Sequence, residues 1–113
     1  MALTAGQIAQ GQLDAYNVQN LDRFCAYYAD DVVIADYRGT ENCQGLAALR
    51  DRYAKVFAEF PGNQVVLLGR IILGNTVIDH EEVRRAPDAV PFYVAAIYTI
   101  AGGKIARCEF VKA

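Results

Sequence analysis

From Gln64 onward the chain reads as four β-rich runs, QVVLLGRIILG, NTVIDHEEVRR, PFYVAAIYTI and KIARCEFVKA, set apart by Gly74-Asn75, Ala86-Pro87-Asp88 and Ala101-Gly102-Gly103. Strands joined by turns this short pair with their sequence neighbours, so the pattern predicts an antiparallel meander. A meander has two faces, and "RIILG" with "AAIYTI" puts apolar side chains on both. One face calls for helices from elsewhere in the chain, and the other for a second copy related by a twofold axis.

The helices must come from the residues before Gln64. Thr4 is a candidate N-cap, and Ile8, Leu13 and Tyr16, with Ala9 and Ala15, form a helical stripe up to about Asn17, weakened by Gly6 and Gly11. Asn20 caps a second short helix in which Leu21, Phe24, Cys25 and Tyr28 share one apolar face. Asp30-Asp31 is read as its end, and Val32 to Tyr37 as a β-branched strand that puts Val32, Ile34 and Asp36 on one side. Arg38 to Gly45 reads as a loop. Leu46, Leu49, Tyr53, Val56, Phe57 and Phe60 then predict a third helix, stopped at Pro61-Gly62-Asn63. Helices first and sheet second make an α+β class, with three N-terminal helices packed in a curved, mostly antiparallel sheet.

Length and composition restrict what such a domain can do. A chain of 113 residues builds one domain, 1–113, around one core. At 54% hydrophobic and 21% charged residues it is rich in core formers, a surplus that often ends in a pocket or an interface. The net charge of -2, with basic residues spread along the chain, disfavours nucleic acid as a partner. Cys25, Cys43 and Cys108 fit neither a metal motif nor a disulfide framework, so reduced thiols are expected. One histidine without CxxC or HxxxH spacing predicts no metal, and no motif asks for another cofactor. The N-terminal stretch lacks the features of a signal peptide and no apolar run is long enough to span a membrane; a cytoplasmic protein with no membrane partner is expected.

The patterns "NLDRF…YYADDVVIAD", "GLAALRDRY" and "GGKIARCEF", in this order, resemble the SnoaL-like and ketosteroid-isomerase-like branch of the nuclear transport factor 2 (NTF2-like) superfamily. The likeness covers nearly the whole chain and implies a cone-shaped α+β fold in which one strand lies parallel to another, making the sheet mixed. That scaffold hosts isomerases, cyclases, hydratases, epoxide hydrolases and proteins without catalysis, so the activity has to come from the site. In the steroid isomerases a strand-end Asp moves the proton, while a Tyr and a protonated Asp donate hydrogen bonds to the enolate oxygen. By this resemblance Asp36 matches the base, and Tyr28 and Tyr53 match two tyrosines behind the oxyanion site of some members. The donor Tyr falls on Gln12 and the donor Asp on Ala95, so the oxyanion hole of the steroid isomerases is absent and their activity is not expected.

The residues themselves suggest a site of the same kind. Asp36, beside Val32 and Ile34, is the candidate acid/base group. His80 shares a strand face with Ile78 and Glu82, and Asp79 and Glu81 share the other with Val77 and Val83. Either His80 turns inward to exchange a proton with Asp36 or a ligand, or Asp79 and Glu81 put two carboxylates into the pocket. Tyr28 and Tyr53 lie on apolar stripes, where a buried hydroxyl needs a partner, and Gln12 is the polar helix residue best placed to meet them. Phe24, Phe57, Ala95, Ile97, Cys108 and Phe110 complete the expected wall around a small, mainly apolar carbonyl-type molecule. Two functions follow. One is an isomerase-, cyclase- or hydratase-like enzyme; the other is a non-catalytic, dimeric ligand-binding or assembly module. In both, the outer sheet face makes a homodimer.

Overall fold

The computed structural model describes residues 2–113. Its elements run α1 (Ala5–Asn17), α2 (Leu21–Cys25), β1 (Tyr28–Asp36), β2 (Glu41–Gln44), α3 (Leu46–Glu59), β3 (Gln64–Leu73), β4 (Thr76–Arg84), β5 (Phe92–Ala101) and β6 (Lys104–Lys112). The six strands form one sheet in the order β2-β1-β6-β5-β4-β3. The expected meander β3 to β6 is antiparallel throughout. β1 joins it alongside β6 in the parallel sense, which makes the sheet mixed.

Local chemistry explains the helix ends. Thr4 and Gln7 form a capping box at α1: the Gln7 amide donates to Thr4 Oγ1 at 3.1 Å, and the Thr4 amide to Gln7 Oε1 at 2.8 Å. Gly11, awkward for a helix on propensity, has a packing reason. The Tyr27 ring lies against it so closely that any Cβ would overlap the ring's hydroxyl end. Asn20 caps α2 by accepting from the Arg23 amide at 3.1 Å. Gly45 stands at the cap position before α3 with φ +87°, where a side chain would be strained, and its own N–H donates to Val32 O at 2.7 Å.

Two expectations about local structure change. α2 ends at Cys25, so Tyr28 opens β1 and Asp30-Asp31 lies within that strand and does not stop a helix. The cause is tertiary: Tyr28 pairs with Ile105 of β6, and the Ile105 amide donates to Tyr27 O at 2.9 Å, which draws the chain into the sheet. The segment read as a loop contains β2, which pairs with the free edge of β1 through Val33↔Gln44 and Ile34↔Cys43. Arg38, at φ +56°, turns the chain back for it. Edge pairing satisfies backbone groups whatever the side chains are, so a stretch such as Glu41-Asn42 shows no β signature.

Ile8, Ala9 and Ala15 of α1, Phe24 of α2 and Leu49 and Tyr53 of α3 join Val32, Ile34, Val77, Tyr98 and Cys108 of the sheet in one buried cluster. A second, smaller cluster of Leu13, Val65, Val83 and Val94 lies beside it. Tyr16 and Phe110 pack against both. Cys25, Cys43 and Cys108 are buried free thiols. Among the described residues no helix is long and apolar enough to cross a membrane.

Candidate functional site

The alternation of β4 decides the character of the interior. Val77, Asp79, Glu81 and Val83 are buried, and His80 is exposed on the opposite face. Asp79 is 0% exposed and is held by Arg70 across the β3–β4 pair, with Nε to Oδ1 at 2.7 Å and Nη2 to Oδ2 at 3.0 Å. A bidentate guanidinium is the counterion that best allows a carboxylate to be buried. The same Arg70 donates to Gln10 Oε1 of α1 at 3.0 Å, which ties helix to sheet.

Glu81, two residues further on, is 5% exposed, and its side chain makes no hydrogen bond with any described residue. Burial is the first reason its carboxyl is pushed up to about 8, and the neighbouring Asp79 charge is the second; Arg70 pulls weakly the other way. A carboxylic acid with no protein partner therefore faces a cavity of about 130 Å³ enclosed by α1, α2, α3 and the inner face of the sheet.

The cavity wall carries a fixed hydrogen-bond network. Gln12 Nε2 donates to Ala9 O at 3.1 Å, and because a carbonyl can only accept, this fixes which way the amide points. Nε2 then donates to Tyr98 Oη at 3.0 Å, while Tyr28 donates to Gln12 Oε1 at 2.9 Å. Tyr98 is thus an acceptor toward Gln12, and its own O–H is left for a group in the cavity. Burial raises both tyrosines well above the ordinary phenol range, so both hydroxyls keep their protons. Asn63, itself fully buried, donates to the Tyr16 hydroxyl, and Arg85 Nη1 reaches it at 3.4 Å.

Of the residues expected in the site, Gln12, Phe24, Tyr28, Tyr53 and Phe110 line the cavity. The others stand elsewhere. Asp36 has a side chain 46% exposed, accepts from Asn42 at 3.2 Å and faces Lys112 Nζ at 3.7 Å. As the last residue of β1, opposite Phe110, it lies off the lining. His80 is outside because Asp79 and Glu81 take the inward phase. Ala95 and Ile97 are off the lining because Val94, Ala96 and Tyr98 are the deeply buried residues of β5. Phe57 and Cys108 are buried but off the lining; Phe57 packs on Tyr16, and burial pushes the Cys108 thiol well up, away from reactivity. Tyr98, Arg52 and Arg85 were not anticipated. For Tyr98 the signal was its strand face, shared with Val94 and Ala96. Among the described residues no group of three or more His, Cys, Asp or Glu is placed to hold a metal ion.

A family model described as SnoaL-like domain matches residues 9–108. The chain belongs to this family. An uncharacterised protein from Novosphingobium aromaticivorans, described as having a cystatin fold, is 33% identical over 97% of this chain and 99% of its own, with a TM-score of 0.91. An inferred polyketide cyclase from Sinorhizobium meliloti is 24% identical over 92% of this chain and 93% of its own, at a TM-score of 0.78. An inferred ketosteroid isomerase from Kribbella flavida shares 17% identity, over 100% and 82% of the two chains, at a TM-score of 0.82. The last two likenesses show the fold of this SnoaL-like domain and nothing about its reaction. No protein of curated function matches it.

Proposed function

We propose that this SnoaL-like domain binds a small, largely apolar carbonyl compound in the cavity and moves a proton on the carbon beside the carbonyl, as an isomerase, cyclase or hydratase step requires. The observation that carries this reading is Glu81, buried, without a protein partner and facing the cavity. A carboxyl near 8 is a stronger base than an ordinary carboxylate, yet about a tenth of it is ionised at neutral pH. Its carboxylate takes the α-proton, and the uncommitted Tyr98 O–H donates to the oxygen on which charge develops. Glu81 takes the role that the resemblance assigns to Asp36, whose carboxylate is engaged with Asn42 and Lys112.

The test is deuterium exchange at the carbon α to the carbonyl of 2-tetralone, followed by NMR in D2O. The wild-type chain is expected to accelerate exchange, with a rate rising through a midpoint near 8 as Glu81 ionises. Glu81→Gln should abolish the acceleration, Tyr98→Phe should reduce it on the order of 100-fold, and Asp36→Asn should retain it. Exchange that survives Glu81→Gln refutes the assignment. A passive binding module has one observation in its favour, that Glu81 is the lone carboxyl on the lining. It predicts that 2-tetralone binds without exchange at any pH.

A twofold homodimer through the outer sheet face belongs to the same proposal. Strand registers align Ile71, Ile78 and Ile97 across that face, with Val66 and Tyr93 on either side of Glu82. Val66 and Ile71 are 52% and 56% exposed, an apolar surface that a monomer would leave in water. Sedimentation is expected to give a dimer at micromolar concentration, and Ile71→Lys a monomer. A wild-type monomer contradicts it.

A further inference from the structure

The mouth of the cavity bears charges that the proton-transfer reading leaves unused. The lining residues of the charged types are Arg52, Glu81, Arg85 and Lys112, three cations and one acid. Lys112 faces Asp36 at 3.7 Å. Neither Arg52 nor Arg85 has a carboxylate within salt-bridge distance among the described residues. In a chain of net charge -2, two unpaired guanidiniums on one cavity rim are a local inversion of sign.

Arg85 is also held in a defined attitude. Its guanidinium carbon sits 4.8 Å from the Phe60 ring centroid and 5.2 Å from that of Phe92. Two aromatic rings therefore flank the group, and one N–H edge points at the Tyr16 hydroxyl on the lining. A planar group with two acceptor oxygens is what such an edge binds best, by paired charge-assisted hydrogen bonds.

We propose that the molecule taken into this cavity is an anion, an apolar ring system carrying a carboxylate that Arg85 and Arg52 hold at the mouth. This rests on the cavity being a ligand site, as proposed above, and adds the class of ligand. Strand geometry sets its length. Glu81, Val83 and Arg85 follow one another along the inner side of β4 and its continuation, so at roughly 3.3 Å per residue the guanidinium's backbone lies about 13 Å from that of Glu81. With both side chains reaching into the space between, the acid and the carbon that meets Glu81 are separated by about the span of two fused rings. The acid stays at the wet end, beside cations, and the apolar body lies among Leu13, Val65 and Phe110.

The test uses 2-naphthoate and its neutral isostere 2-naphthamide, with dissociation constants measured by titration calorimetry at low and moderate salt. The wild-type chain is expected to bind 2-naphthoate at least about tenfold more tightly than 2-naphthamide, the preference shrinking as salt rises. In Arg85→Gln and in Arg52→Gln the preference should fall to about threefold or less, while 2-naphthamide affinity stays within about twofold of wild type, which shows the cavity intact. Equal affinities of the two probes for the wild-type chain overturn the acid assignment and leave the cavity reading standing. An unchanged preference in both variants overturns the role of the two arginines. Failure of the wild-type chain to bind either probe overturns the cavity reading and the acid with it.

Discussion

Glu81→Gln is expected to be more stable than the wild-type chain in mildly alkaline solution, by on the order of 4 kcal/mol at about pH 8.5, and equal to it near pH 4. The carboxyl has an ordinary value of 4.5 in the unfolded chain and about 8 in the folded one. Between those limits the folded state holds a proton that the unfolded state has lost, so wild-type stability falls as pH rises through that window. Below it, Glu81 is neutral in both states and Gln is close to an isostere. The groups bearing on Glu81 include Asp79 on its own strand, whose charge raises it, and Arg70 on β3, which lowers it. Tyr28, Tyr98 and Cys108 feel the Glu81 charge in turn. Urea midpoints for both chains across the window measure the effect. A wild-type chain that gains stability over the variant as pH rises would contradict it. The variant most stable at alkaline pH is thus the one expected to lose proton transfer, the usual relation between a strained functional group and stability.

Arg70→Met is expected to destabilise the chain by about 3–5 kcal/mol, because it leaves the Asp79 carboxylate buried without its partner. Asp79 is 0% exposed and the Arg70 side chain 16%, so neither end of the pair is held mainly by water. The loss also removes the hydrogen bond from Arg70 to Gln10 that fastens α1 to β3. Replacing both partners, Arg70→Met with Asp79→Leu, should recover most of the stability, since the desolvation of two charges disappears along with their attraction. Chemical denaturation of the single and double variants forms the cycle that decides it. A single variant within about 1 kcal/mol of wild type would mean that the pair contributes no more than a surface ion pair does.

The larger architecture could be read from the sequence because its signals are local. The Thr4 and Asn20 caps, the Leu49–Tyr53–Phe57 stripe and the turn at Gly102-Gly103 each specify an element without help from distant residues. Tyr28 was assigned to the wrong element for the converse reason. Its spacing from Phe24 and Cys25 suits a helix, and only the parallel ladder with β6, far along the chain, makes it a strand residue. The edge strand β2 was missed for the same cause, since its pairing depends on β1 and not on its own side chains.

The site was legible in part. Gln12, Tyr28 and Tyr53 follow from the rule that polar atoms on an apolar stripe need partners, and they do line the cavity. The phase of β4 could not be read, because His80 on one side and Asp79 with Glu81 on the other are all polar. A guanidinium from the neighbouring strand decided it by making a buried Asp79 affordable. β5 is ambiguous in another way: Val94, Ala96 and Tyr98 are no more apolar than Ala95 and Ile97, so periodicity could not tell wall from outer face. Asp36 does end the first strand, but a strand end beside Asn42 and Lys112 is a different environment from an apolar hollow.

The most direct measurement is the titration of the Glu81 carboxyl carbon by NMR, in protein labelled with 13C at glutamate and assigned by comparison with Glu81→Gln. A midpoint close to 8, moving when a carbonyl ligand such as 2-tetralone is added, is the result that a buried, unpartnered acid facing the cavity requires. A midpoint near the ordinary 4.5, unmoved by ligand, would mean that water or a protein donor reaches the carboxyl, and that Glu81 is not the group on which this site is built.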